Sequence, residues 1–214
     1  MEKVKYPRTY HFPWSETIGS DDKLIRDFSR FKGKEIVILE KMDGECSTLA
    51  RNYMHARSTE SGYHPSRSWL QNFHASFAYR IPENIRLCAE NLFAQHSIVY
   101  DKTNPLRSYL YVFNAWYQDT NTALSWDDTV ELCNELSLEM PDVLYRGEYD
   151  EKVIQDVFKN LDKEKHEGIV VRVTHEIPYD EFQYLVGKCV RANHVQTGDH
   201  WMHAEIKTNQ VVSD

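Results

Sequence analysis

The sequence predicts a single α+β domain, because strand-like runs alternate with helix-like segments and no linker divides the chain. Apolar runs rich in β-branched or aromatic residues lie at 35–39, 85–93, 108–117 and 168–173, and these residue types suit a pleated, half-buried surface. The 214 residues are ample for one core, and they contain no internal repeat or low-complexity stretch. We therefore expect one domain over residues 1–214.

The other elements are predicted from apolar spacing and from capping residues. Ser125, followed by Asp127 and Asp128, is typical of a helix start, since a serine caps the first turn and carboxylates suit its dipole. Helices are predicted at about 21–31, 66–79, 125–138 and 150–161, with a further helical segment at 178–187. Additional strands are predicted at 45–51, 53–58 and 187–191.

The composition is that of a soluble globular protein, with 41% hydrophobic and 27% charged residues. No apolar run approaches the roughly 18 residues that span a bilayer, and the first residues lack the apolar core of a signal peptide, so a cytoplasmic protein without a membrane partner is expected. The four cysteines are widely separated, which favours reduced thiols over a zinc ribbon. The net charge of −8 argues mildly against a non-specific nucleic-acid binder.

Lys41 stands at the end of the first strong strand, within the string EKMDGE at 40–45. An ordinary charged turn is the simplest interpretation of such a string. The functional interpretation is that burial beside an apolar sheet lowers the pKa of the lysine and frees its amine as a nucleophile. Gly44 allows an immediate turn, and Asp43 and Glu45 place carboxylates within reach of a metal or of the ammonium.

Charged residues recur at or near the ends of apolar runs. Besides Lys41, these are Glu90, Glu167 and Lys188, and Arg57 ends the predicted strand at 53–58. One such residue is unremarkable, and Arg57 alone is explained by a surface salt bridge. Four residues of both signs indicate that the strand ends converge on a polar cleft.

With these residues in place, the string EKMDGE resembles the nucleotidyl-acceptor motif of the covalent nucleotidyltransferases, which include polynucleotide ligases and capping enzymes. Further strings follow in that superfamily's order and spacing: ARS (56–58), AENLFAQHSIVY (89–100), LYVFNAW (110–116), EGIVVR (167–172) and KCVRANHVQT (188–197). The second of these resembles the form found in ATP-dependent RNA ligases. The resemblance covers about 35–197, and it implies an ATP-grasp-like ligase domain of antiparallel sheets flanked by helices.

The resemblance implies a chemical role for the charged residues. Lys41 attacks the α-phosphorus of ATP, releases pyrophosphate and carries AMP as a phosphoramidate. Lys188 grips the α-phosphate, and Arg57 binds a sugar or the phosphate of an RNA end. Glu167 holds Mg²⁺, with Mn²⁺ as a possible substitute, because carboxylate oxygens suit these hard cations. The AMP then passes to a 5′-phosphate, and a 3′-hydroxyl of RNA displaces it.

The nucleotide itself is expected to meet a second set of residues. The resemblance places Glu90 at the ribose hydroxyls and Glu40 at the adenine edge, with Asp43 and Gly44 in the turn beside them. The aromatic residue that stacks on adenine is left open: Leu110 occupies one candidate position, so the role passes to Tyr111 or Phe113, with Phe113 taken as the site residue.

The sequence departs from the family pattern at the last motif and beyond it. That motif usually offers two lysines separated by one residue, whereas here Lys188 is followed by Val190, and Lys207 is a rival for the role. We expect no accessory domain of the kind that many ligases carry, and therefore a protein partner that supplies an RNA-binding surface. His194, His200 and His203 match no zinc pattern, so a metal role for them is disfavoured.

Other functions remain open at this point. The chain is alternatively another lysyl-nucleotidyl transferase, either a DNA ligase or a capping guanylyltransferase. A third alternative is a nucleotide-binding or RNA-end-binding module without catalysis. The presence of Lys41, Glu90, Glu167 and Lys188 together argues against that loss of chemistry.

Overall fold

Two β-sheets form the framework of the computed structural model, which describes residues 2–192 and 206–212. The strands are β1 (Tyr10–His11), β2 (Glu35–Lys41), β3 (Glu45–Ala50), β4 (Tyr53–Ala56), β5 (Ile85–Asn91), β6 (Leu110–Tyr117), β7 (Thr122–Ala123), β8 (Val143–Glu148), β9 (Gly168–Val173), β10 (Ile177–Pro178) and β11 (Val186–Val190). The helices are α1 (Ser68–Phe77), α2 (Trp126–Leu136), α3 (Glu151–Asn160) and α4 (Phe182–Leu185). These elements confirm the predicted α+β class.

The sheets are built almost entirely from antiparallel pairs. Sheet A has the order β1-β11-β9-β2-β8, and sheet B has the order β10-β7-β6-β5-β3-β4. Only the pairing of β1 with β11 is parallel. Because β2 lies in sheet A and β3 in sheet B, the turn at residues 42–44 carries the chain from one sheet to the other.

Helices pack against both sheets. Helices α1 and α2 bury Leu70 and Leu136 in the same cluster as Val112 of β6. Helix α3 buries Ile154 in a cluster that contains Ile36 of β2. The apolar stripes that predicted these three helices therefore form part of the cores that support the two sheets.

The predicted helix at 21–31 is wrong, because this segment forms turns and an extended bridge instead. Leu24 bridges His11, and the His11 carbonyl accepts a hydrogen bond of 2.8 Å from the Ile25 amide. Phe31 packs with Phe12, their ring centroids being 5.9 Å apart. Backbone pairing with the N-terminal segment and these ring contacts override the helical spacing of the apolar residues.

Two smaller differences between prediction and structure concern an edge strand and a short helical segment. Strand β8 was not predicted; it is an edge strand, and Val143 and Leu144 in it are exposed, so no burial pattern marks it. The segment predicted as helical at 178–187 contains one turn of 3₁₀-helix and the short α4 before β11 begins. Within the described residues, no helix is long and apolar enough to cross a membrane.

Candidate active site

A cavity of about 730 Å³ opens between the two sheets. Sheet A contributes Lys41 at the end of β2 and Lys188 on β11, and sheet B contributes Glu90 on β5. The cavity brings together the following predicted site residues: Glu40, Lys41, Asp43, Gly44, Arg57, Glu90, Phe113, Glu167 and Lys188. Lys207 is not among the lining residues; it is exposed, and its carbonyl accepts a hydrogen bond of 2.8 Å from the Gln95 amide.

Lys41 forms an ion pair with Glu167 at the centre of this cavity. Its Nζ donates a hydrogen bond of 2.7 Å to Oε2 of Glu167, whose side chain is only 3% exposed. Burial favours the neutral amine, but the charges of Glu167 and Glu90 outweigh burial, so the pKa of Lys41 is raised above its usual value. The expectation of a lowered pKa is therefore wrong for the nucleotide-free protein, in which Lys41 is an ammonium.

Within the described residues, Glu90 and Lys188 have no close ion pair of the kind that joins Lys41 to Glu167. Burial raises the pKa of Glu90 to about 8. The positive charge of Lys41 opposes this rise, and the negative charge of Glu167 adds to it. Burial and repulsion from Lys41 lower the pKa of Lys188 to about 8. No ion pair or hydrogen bond of the Lys188 ammonium occurs within the described part of the chain. Among the described residues, the cavity thus holds a half-buried cation that lacks a direct counter-ion.

The turn after Lys41 is fixed by hydrogen bonds to the chain that follows β5. Oδ2 of Asp43 accepts hydrogen bonds from Oγ of Ser97 (2.8 Å) and from the amide of Ile98, and its own amide donates to the Tyr100 hydroxyl. A Cβ at Gly44 would overlap the carbonyl oxygen of Asn91, so only glycine allows this close approach. The Gly44 amide donates to Oε1 of Glu90 at 3.1 Å. Asp43 and Gly44 therefore position Lys41 relative to Glu90.

Phe113 faces the cavity because of a β-bulge. Strand β6 pairs Asn114 with Cys88 and Val112 with Ala89, which leaves Phe113 as the extra residue. Phe113 and Asn114 consequently both line the cavity. Val170, on β9 of the other sheet, also lines it.

The other candidates for the stacking role lie elsewhere. Leu110 is fully buried in the core beneath α1 and α2. Tyr111 is 3% exposed, and its hydroxyl accepts a hydrogen bond of 2.8 Å from the Arg107 amide. Among the three residues considered from the sequence, Phe113 is the one that the cavity exposes.

Comparison with known proteins decides the family. The family model described as RNA ligase matches residues 34–190, which is most of the chain and contains every strand whose residues line the cavity. The chain belongs to the RNA ligase family. No curated protein matches the sequence significantly.

Solved structures show which fold this RNA ligase family member has. An archaeal ATP-dependent RNA ligase is 15% identical with a TM-score of 0.60, over 87% of this chain and 48% of that chain. A Naegleria gruberi RNA ligase mutant with ATP and Mn is 16% identical with a TM-score of 0.53, over 76% and 51%. A putative ATP-dependent DNA ligase from Aquifex aeolicus is 18% identical with a TM-score of 0.55, over 87% and 49%. The chain has the ligase nucleotidyltransferase fold and spans about half the length of these structures.

Two cavity residues of this RNA ligase family member, Tyr6 and Arg67, were missed from the sequence. Tyr6 lines the cavity from the N-terminal segment and packs edge-on against Phe113, with ring centroids 5.1 Å apart. Glu45 forms a largely buried ion pair with Arg67, which precedes α1. Tyr6 contacts Phe113, and Arg67 contacts Glu45, across long stretches of sequence that no short motif connects. The sequence therefore carried no local signal for these contacts.

Arg172 was also missed, although it ends the quoted string EGIVVR. It is 2% exposed and donates to the Leu124 carbonyl (2.8 Å) and to Oδ1 of Asn114 (3.3 Å). Burial lowers the pKa of this guanidinium to about 10. Because Asn114 lies on β6 and Arg172 on β9, this contact joins the two sheets at the cavity wall.

Glu40 has a neighbour that the sequence did not indicate. Its Oε1 lies 2.8 Å from Nδ1 of His166, and both residues line a second cavity of about 110 Å³. Burial raises the pKa of Glu40, against the hydrogen bond from His166. Glu40 thus borders the main cavity, while its carboxylate is held by His166 in the second cavity.

The described cavity residues offer a divalent cation single carboxylates rather than a cage. No group of three or more His, Cys, Asp or Glu residues within 2–192 and 206–212 forms a metal cage. Glu167 nevertheless offers a buried carboxylate, and its repulsion contributes to the raised pKa of Glu90, which marks an excess of negative charge. Mg²⁺ typically takes one or two carboxylates plus phosphate oxygens and water. His194, His200 and His203 lie outside the described residues.

Proposed function

We propose that this chain is an ATP-dependent RNA ligase that works through a lysyl–AMP intermediate on Lys41. The observation that carries the proposal is the Lys41–Glu167 ion pair of 2.7 Å at the centre of a cavity that Glu90 and Lys188 also line. A lysine paired with a buried carboxylate, in a cavity that also holds a half-buried cation without an ion pair in the described residues, suits attack on a phosphate. RNA ligase family membership supports this function over other uses of such a cleft.

The first step joins Lys41 to AMP. The ammonium must lose a proton, after which the Nζ lone pair attacks the α-phosphorus of ATP. The N–P bond forms, the P–O bond to pyrophosphate breaks, and pyrophosphate leaves. Lys188 balances the charge on the α-phosphate, since a preorganised cation in a water-poor site stabilises developing negative charge.

The nucleotide is held by the residues on either side of Lys41. Phe113 and Val170 lie on facing sheets, so an adenine ring fits between them as an aromatic stacking partner. Glu90 accepts hydrogen bonds from the ribose hydroxyls, and Glu40 borders the adenine edge. A divalent cation on Glu167, when bound, screens the phosphates and weakens the hold of that carboxylate on the Lys41 proton.

Two further steps complete ligation. An oxygen of an RNA 5′-phosphate attacks the phosphorus of lysyl–AMP, the N–P bond breaks, and AMP is transferred to the RNA end as a pyrophosphate linkage. A 3′-hydroxyl then attacks the 5′-phosphorus of that end, forms the phosphodiester and releases AMP. In this proposal Arg57, which is exposed at the end of β4 and lines the cavity, holds the 5′-phosphate.

Labelled nucleotides test this proposal directly. The protein is incubated with Mg²⁺ and α-labelled ATP or GTP, and acid-labile label on the protein is resolved by denaturing electrophoresis. Label from ATP is expected; label from GTP alone favours a capping enzyme, and no label from either favours a binding module. Labelled protein is then offered 5′-phosphorylated RNA or DNA, and sealing of DNA alone contradicts the RNA assignment.

At alkaline pH, the rate of self-adenylylation is predicted to fall because Lys188 loses its proton. Because its pKa is lowered to about 8, Lys188 is charged below that pH and loses its charge above it. The second-order rate constant for self-adenylylation at low ATP is therefore expected to fall above about pH 8. In Lys188→Arg, whose guanidinium stays charged, this contribution to the profile should disappear. Glu90 titrates in the same range in both proteins, so identical alkaline limbs would exclude Lys188 as their source.

A further inference from the structure

The cavity extends well beyond the space that one nucleotide bound at Lys41 requires. Across sheet B, its lining residues follow one another on adjacent strands: Phe113 on β6, Glu90 on β5, Cys46 on β3 and Arg57 after β4. With neighbouring strands about 4.8 Å apart, this row is about 14 Å long. If the base lies by Phe113 and the ribose by Glu90, the half of the row from Cys46 to Arg57 remains for a second substrate.

The free half of the row ends in a loop at residues 57–64, which we call the rim loop. Arg57, Ser58, Ser61, Gly62, Tyr63 and His64 all line the cavity. Within the described residues, Arg57 forms no ion pair or hydrogen bond, and its charge lowers the pKa of Lys188, so it faces the reactive centre. Residues 51–67 carry three arginines and one carboxylate in a chain of net charge −8. The rim loop is thus part of a locally basic segment.

Tyr63 is the most exposed of the large apolar side chains in the described residues, at 72%. An aromatic ring left in solvent at the mouth of a cavity buries no core surface. Beside an unpaired arginine, it matches the pattern by which proteins hold single-stranded nucleic acid, in which a cation takes the phosphate and a ring stacks on the base.

The rim loop is held in place by its own contacts. The Ala56 amide donates to Oγ of Ser61 at 3.0 Å, and Nη1 of Arg67 donates to the Gly62 carbonyl at 2.7 Å. Arg67 is itself fixed by two hydrogen bonds to the carboxylate of Glu45, which follows the Lys41 turn. Because the loop is fixed at the two residues directly before Tyr63, it presents this side chain without a large ordering cost on binding.

We infer that the rim loop binds the first nucleotide of a single-stranded, 5′-phosphorylated RNA end, with Arg57 on the phosphate and Tyr63 stacked on the base. This inference rests on the proposed function, which supplies the reason for a second substrate at Lys41. A fully paired end offers its terminal base less freely, because that base already stacks and pairs within the duplex. The subsite therefore selects single-stranded ends.

Binding without ATP tests the inference separately from catalysis. Fluorescence anisotropy measures the Kd of a labelled, 5′-phosphorylated single-stranded RNA for the full chain. Tyr63→Ala is expected to raise this Kd by about 5-fold to 160-fold, the range of one lost base stack, and Tyr63→Trp is expected to restore it. Tyr79→Ala is the matched control, since Tyr79 is 71% exposed and does not line the cavity.

The outcomes separate this inference from the proposed function. Equal Kd values for Tyr63→Ala and Tyr79→Ala overturn the stacking role. A loss on Tyr63→Ala that is as large for a blunt duplex with the same 5′-phosphate overturns the single-strand selection. Absence of labelled protein with ATP contradicts the proposed function, while the anisotropy measurement still reports on the rim loop. Thermal melting of each variant confirms that these exposed substitutions leave the fold intact.

Discussion

Lys41→Ala and Lys41→Arg are each expected to abolish covalent AMP, by at least about a thousandfold relative to the native chain. Alanine removes the nucleophile. Arginine retains a positive charge beside Glu167, but its guanidinium does not deprotonate in proteins and so offers no lone pair for attack on phosphorus. The measurement is label from α-labelled ATP on the protein after denaturing electrophoresis.

Chemically pre-adenylylated RNA provides the control for these two variants. Once AMP is on the RNA end, the bond-forming role of Lys41 is over, and the last step needs only that the ends are positioned. Lys41→Arg should therefore seal pre-adenylylated RNA at a rate within about tenfold of the native chain. Acid-labile label on Lys41→Ala would show that another residue is the nucleophile, and would refute the assignment.

Lys188→Ala and Lys207→Ala are expected to have very different effects on self-adenylylation. Lys188 lines the cavity and has no direct counter-ion in the described residues, whereas Lys207 is exposed and lies apart from the cavity lining. Loss of one charge-stabilising group in a buried site typically costs about 10²- to 10³-fold in rate, which is the effect expected for Lys188→Ala. Lys207→Ala should remain within about threefold of the native rate.

The stability of the two variants distinguishes a chemical role from a structural one. Removing an unpaired, half-buried ammonium breaks no ion pair and relieves a desolvation cost, so Lys188→Ala should not lower the thermal unfolding midpoint. A Lys188→Ala variant that unfolds earlier and regains its rate at lower temperature would indicate a structural role. A large loss of activity in Lys207→Ala alone would reverse the assignment.

The sequence predicted those parts of the fold that local patterns specify. Strands β2, β5, β6 and β9 were recognised because β-branched and aromatic runs mark buried strands. Helix α2 was located from its cap, and Ser125 does accept a hydrogen bond from the Asp128 amide. The segment 21–31 failed because its apolar residues serve contacts with Phe12 and His11, which are long-range and follow no period.

The candidate site divides in the same way. Lys41, Glu90, Glu167 and Lys188 were identified because each lies at or near the end of a recognisable strand and within a family motif. The protonation of Lys41 was not predictable, since its decisive partner, Glu167, is distant in sequence and reaches it only through the β2–β9 pairing. The bulge that exposes Phe113 depends on register with β5, which a single strand's sequence does not encode.

The parallel pairing of β1 with β11 has a consequence for how the protein is made. These are the first and the last strands of the described chain, and His11 pairs with Lys188. During synthesis the N-terminal strand lacks its sheet partner β11 until almost the whole domain has left the ribosome, and such long-range contacts form slowly. Most of the sheets can assemble earlier, around a lysine at position 41 that still lacks Lys188. The chain is thus expected to become competent for nucleotide chemistry only at the end of its own folding.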